Sequence, residues 1–191
     1  YRTPELSHDT VDMPNVQLIT ANPDAMEQGY TLLSIRRSSL NRQHWATPAQ
    51  SEFEERWGLI AAFDEEGEVV WTYLSDARIA GIHQLKNGNL FFHYVDFRTV
   101  EMDMCGTIVR QFHAANRPYG PISNSIPIEA ESLHHQPHEL ANGNFLALTA
   151  NVREIENYYT DIVDKSAPRK TQRVVGDNIV VFTPQGEIVW N

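Results

Sequence analysis

The densest run of chemistry-bearing side chains is Leu133-His134-His135-Gln136-Pro137-His138-Glu139. Imidazoles at this density suit two chemistries, ligation of a divalent metal and proton transfer near neutral pH. Strand geometry tests the first. In an extended strand His135 points away from His134 and His138, and those two stand about 13 Å apart at ~3.3 Å per residue. Neither pair chelates one ion unless Pro137 forces a bulge, so no metal site and no metal cofactor are assigned. His83 and His138 each lie four residues before the Asn of an Asn-Gly pair. That recurrence gives them an architectural role as hydrogen-bonded side chains at a strand start. His135 has no such counterpart, because Ala80 holds its place in the other copy. A histidine found in one copy only, at the entry of an innermost strand, reads as a channel-facing functional group or as another strand-start histidine; the residues leave both open.

Arg98 and Arg153 both fall eleven residues after the Asn of their turns. This favours structural or surface roles and keeps Arg153 as a candidate anion contact. Arg36, Arg37 and Arg42 form a second basic group, and Lys165 to Arg173 a third; both read as solvated. Trp71 and Trp190 recur at one hairpin position and are expected in core or inter-blade packing. Cys105 is the only cysteine, so no internal disulfide forms, and its strand-rich context predicts a small core residue. A glycine-rich phosphate loop, a Gly-x-Ser-x-Gly elbow and a zinc-type Cys pair are all missing from the sequence.

Two kinds of hairpin must position these groups. The first reads Leu59 to Phe63, Asp64-Glu-Glu-Gly67, then Val69-Val70-Trp71, and returns as Ile179 to Phe182, Thr183-Pro-Gln-Gly186, then Ile188-Val189-Trp190. A weaker copy runs from Val100 through Asp103 and Gly106 to Val109. The second kind is His83-Gln-Leu85-Lys-Asn87-Gly88-Asn89, matched by His138-Glu-Leu140-Ala-Asn142-Gly143-Asn144. Asn-Gly between apolar runs is a strong hairpin signal, because a type I′ turn needs positive φ at both central residues. The two kinds alternate, and one of each makes a four-stranded antiparallel sheet, the unit of a β-propeller. The fold class is therefore all-β, with four-stranded propeller blades and about two and a half of them, fewer than closure needs. A possible strand at Gly29 to Ile35 starts the series. Residues 1–28 are expected as an N-terminal extension, residues 29–191 as the partial propeller, and 112–130 and 151–176 as long loops. Ser51 with Glu54 predicts a capping box opening a short surface helix.

Hydrophobic residues make up 41% of the 191-residue chain and charged residues 21%, the balance of a globular protein. The net charge of −10 repels phosphate backbones and anionic lipid, which argues against nucleic acid and membrane surfaces as partners. No apolar run is long enough to insert in a bilayer. The chain starts at Tyr1 and is read as a processed, trimmed or partial product.

The order of these motifs resembles the arylsulfotransferase family: Val100-Glu-Met-Asp-Met-Cys-Gly-Thr-Ile-Val-Arg110, then His134-His135 eight and seven residues before Asn142, then Ile179 to Trp190. Gly29-Tyr-Thr-Leu-Leu33 and the Asp64 hairpin fit the family's first blade, so the resemblance covers about residues 29–191. It implies a six-bladed propeller with the active site at its central channel. The implied reaction moves a sulfuryl group from an aryl sulfate ester to a phenol through a sulfated histidine, without nucleotide donor or cofactor. The resemblance implies His135 as a catalytic residue; His134 beside it and the candidate anion contact Arg153 are expected as substrate-binding residues. Where the family reads His-His-Asp and Leu-Pro-Asn-Gly-Asn, this chain has Gln136 and Ala141. The sulfated histidine, a further histidine and an arginine are expected in later blades, so closure needs remaining blades or a second chain. The family tends to be periplasmic or secreted. A non-catalytic propeller that binds a ligand or a protein is the alternative reading.

Overall fold

The computed structural model describes residues 13–38 and 47–191. Its first sheet holds β1 (Thr31–Arg36), β2 (Gly58–Phe63) and β3 (Val69–Ser75) in that order. The second holds β4 (Ile79–Gln84), β5 (Leu90–Tyr94), β6 (Arg98–Met102) and β7 (Ile108–Ala114), to which the short β8 (Ile126–Ile128) adds in parallel. The third runs from β9 (His134–Glu139) at one edge through β10 (Phe145–Tyr158) and β11 (Lys170–Phe182) to β12 (Ile188–Trp190). All five anticipated turns are present, but the two Asn-Gly turns are not type I′: Gly88 and Gly143 have positive φ while Asn87 and Asn142 do not, and three residues, 86–88 and 141–143, join the bonded ends Leu85–Asn89 and Leu140–Asn144. In each one the residue before the turn and its closing glycine bond across it, as Asp64 and Leu85 do with Gly67 and Gly88. Two sheets thus contain the complete four-stranded unit and the first contains three strands of it.

Alternation along the strands explains how the sheets stack. Phe91 belongs to an apolar cluster with Phe112, Phe145 and Phe182, between the second and third sheets. Its neighbour Phe92 points the other way, into a cluster with Ile60, Val100 and Met102 between the first and second sheets. β4 lies between β1 and β9, and β5 also touches β9, so neighbouring sheets meet along their inner edges. This is blade-like packing, and the described sheets do not close a ring. Polar ties reinforce it. Trp71 Nε1 donates to the Met104 carbonyl at 3.1 Å, Lys86 Nζ to the Leu140 carbonyl at 3.0 Å, and Arg110 Nη1 to the Pro184 carbonyl at 3.5 Å.

Several expectations need correction. The short helix α1 (Pro48–Glu55) starts earlier than Ser51: Thr47 caps it and Gln50 completes the box. Pro48 lacks an N–H and fits only the first turn, which places the cap before it. The segment 151–176 is mostly a two-stranded ribbon, because β10 and β11 stay paired as far as Tyr158 and Lys170. Its charged residues occupy solvent-facing strand positions, which the sequence reading took for loop. Residues 112–130 likewise include the end of β7 and all of β8. Cys105 is exposed in the β6–β7 turn, held by its N–H on Asp103 Oδ1. Trp71 packs between sheets as expected, but Trp190 is 57% exposed, since no described sheet covers β12. Arg37 is half-buried over the rings of Phe53 and Trp57 rather than solvated. Arg42 lies outside the described residues. Lys165 and Arg169 both stack on Tyr159, and Lys170, Thr171 and Arg173 at the start of β11 are exposed.

Candidate functional site

The third sheet begins at its inner edge with the histidine run. β9 does not keep the regular alternation expected of it. His138 pairs with Leu146 and His134 with Leu148, so four steps on β9 oppose two on β10. The surplus is a bulge centred on His135, whose φ is 61°, a left-handed conformation that a non-glycine residue adopts only under tertiary constraint. The bulge turns two neighbouring side chains toward each other. The rings of His134 and His135 lie edge to face with centroids 5.1 Å apart, which overturns the expectation that they face opposite sides.

The constraint comes from the neighbouring blade. β4 carries its own irregularity, because Ala80 pairs with His93 and Ile82 with Phe92, leaving Gly81 unpaired at φ 57°. A Cβ on Gly81 would sit 2.6 Å from the His135 carbonyl oxygen and 2.5 Å from Gln136 Cα. Only glycine allows the two bulges to nest. Sequence reasoning missed this contact; glycine in mid-strand was the available signal.

The two rings differ in environment. His134 is partly buried, with Nε2 3.6 Å from Asp177 Oδ1 on β11. Burial lowers its pKa and the Asp177 carboxylate opposes that, with His135 adding a further downward push. His135 is exposed, as is Gln136. Behind them lies His93, wholly buried on β5, with Nδ1 2.5 Å from the Thr99 hydroxyl. Burial, then the charge of His134, pushes its pKa down to about 3. His93 was not among the sequence candidates, since one histidine in an apolar strand carries no spacing signal.

His138 packs its ring on His83 of β4 at 4.9 Å, so the recurring histidines meet across the blade boundary. Arg153 is exposed on β10 opposite Val174. It lies five residues beyond Leu148, the partner of His134, roughly 17 Å along the strand. The fold therefore brings His134 and His135 together and leaves Arg153 apart from them. Arg98, its counterpart, is half-buried against Asp96 at 2.8 Å and over the Tyr94 ring. Among the described residues no three His, Cys, Asp or Glu side chains converge as a metal ion would require.

The paired rings can exchange or donate protons and can hold an anionic oxygen, with one ring partly buried and the other open to a substrate. The family model for arylsulfotransferase (ASST) matches residues 15–191. No curated protein matches the sequence. Among solved structures, the chain is similar to a protein of unknown function from Bacteroides caccae, at 12% identity and a TM-score of 0.34. The match covers 70% of this chain and 58% of that one.

Proposed function

The chain belongs to the arylsulfotransferase family, and from that premise we propose that it forms part of an enzyme transferring a sulfuryl group from an aryl sulfate ester to a phenol, with the His134–His135 pair at the reacting end. The observation that carries this reading is the bulge, which sets the two rings 5.1 Å apart at the inner edge where two blades meet.

The chemistry needs two displacements. A neutral imidazole nitrogen attacks sulfur, the sulfur–oxygen bond to the aryl group breaks, and the aryl oxygen departs as phenolate or, with a proton, as phenol. The acceptor phenol oxygen then attacks the same sulfur, the sulfur–nitrogen bond breaks, and the phenol proton passes to a base. Charge gathers on the sulfuryl oxygens in both steps, and hydrogen-bond donors aimed at them stabilise it. The exposed ring of His135 serves as that donor or as the proton shuttle, and His134 binds beside it. The sulfated histidine is assigned to no described residue. Arg153 is proposed as an anion contact only for the entry of the substrate, given its distance along β10. A periplasmic or secreted location goes with the family; among the described residues no helix is long and apolar enough to cross a membrane.

The test is transfer by the native full-length protein from 4-nitrophenyl sulfate to phenol, with no nucleotide added. Release of 4-nitrophenol that depends on phenol supports the proposal. Tight phenol binding with no turnover would favour a non-catalytic binding propeller instead. The isolated 191 residues are expected to be inactive, because the three described sheets do not enclose a channel.

A further inference from the structure

His93 is a buried histidine with one unsatisfied nitrogen. Its Nδ1 lies 2.5 Å from the Thr99 hydroxyl, and a hydrogen bond with the Arg98 backbone favours a proton on the ring. We assign the proton of the neutral ring to Nδ1, the nitrogen beside the Thr99 hydroxyl, which leaves Nε2 as an acceptor. Yet Nε2 is fully buried and has no partner. A buried acceptor is costly to leave unmade, and one ordered water usually fills such a place.

The direction in which His93 faces follows from strand alternation. Phe91 belongs to the cluster shared with the third sheet and Phe92 to the cluster shared with the first. His93 therefore shares the face of Phe91 and looks toward the third sheet. β5 touches β9 along this layer, and Leu133, the residue before His134, is part of the same cluster. The partner of His93 on β4 is Ala80, next to Gly81, against which the His135 carbonyl rests. His93 thus closes the end of the layer nearest the histidine pair. Thr99 and Arg98 face it from β6, Ala80 from β4, and His134 and His135 act on it from β9, His134 the more strongly. Beyond His134 stands the Asp177 carboxylate.

We propose that His93 is a positioning residue for the pair: one bridging water donates its two protons to Nε2 of His93 and Nδ1 of His134, fixing His134 in the tautomer whose Nε2–H faces Asp177. The proton inventory closes, since His93 donates through Nδ1, the water donates twice, and the Nε2–H of His134 is turned toward the Asp177 carboxylate 3.6 Å away. His134 is then held in one orientation beside His135, supplying from the neighbouring blade the constraint that Gln136 does not supply as a carboxylate would. As a role in catalysis this rests on the sulfuryl-transfer reading, but the water bridge itself does not.

The test is therefore spectroscopic. Nitrogen-15 NMR of the imidazoles reports which nitrogen carries each proton, independently of turnover. The wild-type protein is expected to show His93 with its proton on Nδ1 throughout the neutral range and His134 with its proton on Nε2. In His93→Phe, which keeps the ring volume and removes the acceptor, His134 is expected to populate both tautomers and to titrate at higher pH. His93→Gln, whose side-chain carbonyl can accept from the same water, is expected to restore the single tautomer. A wild-type His93 carrying its proton on Nε2 would overturn the proposal, and this reading does not depend on any variant folding. A folded His93→Phe protein with an unchanged His134 would overturn it as well. If these signatures hold while sulfuryl transfer is absent, the functional reading fails and the bridge stands.

Discussion

At His134 and His135 the sequence shows two adjacent imidazoles, and strand periodicity gives the wrong relation between them. The left-handed φ of His135 and the nesting on Gly81 depend on a neighbouring strand far away in sequence, which no local pattern encodes. The recurring His83 and His138 meet across the blade boundary through tilted rings 4.9 Å apart, a ring contact in place of the hydrogen bonds expected of them. It follows that His135→Gln in the native enzyme should lower turnover by about 10²-fold, the scale of one acid–base or charge-stabilising group, while leaving the fold intact. His138→Gln should cost about 1 kcal/mol of stability through the lost ring contact and leave turnover per folded molecule unchanged. Steady-state kinetics beside urea unfolding of both variants separate these outcomes, and a silent His135 with an essential His138 would reverse the assignment. The buried histidines also set an acid sensitivity. Burial pushes the His93 pKa down from its ordinary 6.5 to about 3, and burial lowers His83, His113 and His134 too. Between those pH values the unfolded chain binds protons that the folded chain refuses, so this stability is complete above about pH 6.5 and is lost as pH falls toward 3. The loss approaches about 1.4 kcal/mol per pH unit for His93 alone. Urea midpoints should be lower at pH 5 than at pH 7, and His93→Phe should flatten the difference; equal midpoints would contradict the burial argument.

Hairpins were the most legible elements, since Asn-Gly and Asp-x-x-Gly mark where the chain turns, but the type I′ turn expected at Asn-Gly would shift the register by one residue from the one found. The ribbon of β10 and β11 was hidden by its charges, because a two-sided exposed ribbon lacks the apolar alternation that marks a half-buried strand. The second sheet adds a device that the turns alone did not announce. Glu101, 1% exposed in its side chain, accepts from Asn87, Asn89 and Arg110. Burial raises its pKa, but these donors outweigh burial and hold it below the usual carboxylate value. The Asn-Gly-Asn turn is thus bolted to β6 and β7. Two substitutions probe the elements. Gly81→Ala must place a methyl group against the β9 backbone at positive φ, and should destabilise by about 2 kcal/mol or more while shifting the His134 and His135 resonances. Unchanged stability and shifts would mean that β4 and β9 do not nest. Phe112→Ala opens a cavity among Phe91, Phe145 and Phe182, with an expected loss of about 3–5 kcal/mol in chemical denaturation.

At the level of the whole molecule, alternating hairpins implied blades, and the structure shows sheets that pack along their inner edges through two aromatic layers. The expected channel position of the active site rests on the family, and the His134–His135 bulge lies on an inner edge. Arg153 shows where repeat arithmetic stops: its recurrence with Arg98 was legible, but the length of the β10–β11 ribbon that carries it away from the pair was not. The central claim is that this family member moves a sulfuryl group by way of its own histidine, with the pair assisting. The most direct measurement mixes the native full-length protein with 4-nitrophenyl sulfate and no acceptor, following 4-nitrophenol release and the intact protein mass together. The account predicts a burst of one equivalent of 4-nitrophenol per active site, a mass gain of one sulfuryl group on histidine, and its removal when phenol is added. Steady release into water with the protein mass unchanged, or no release at all, would contradict it.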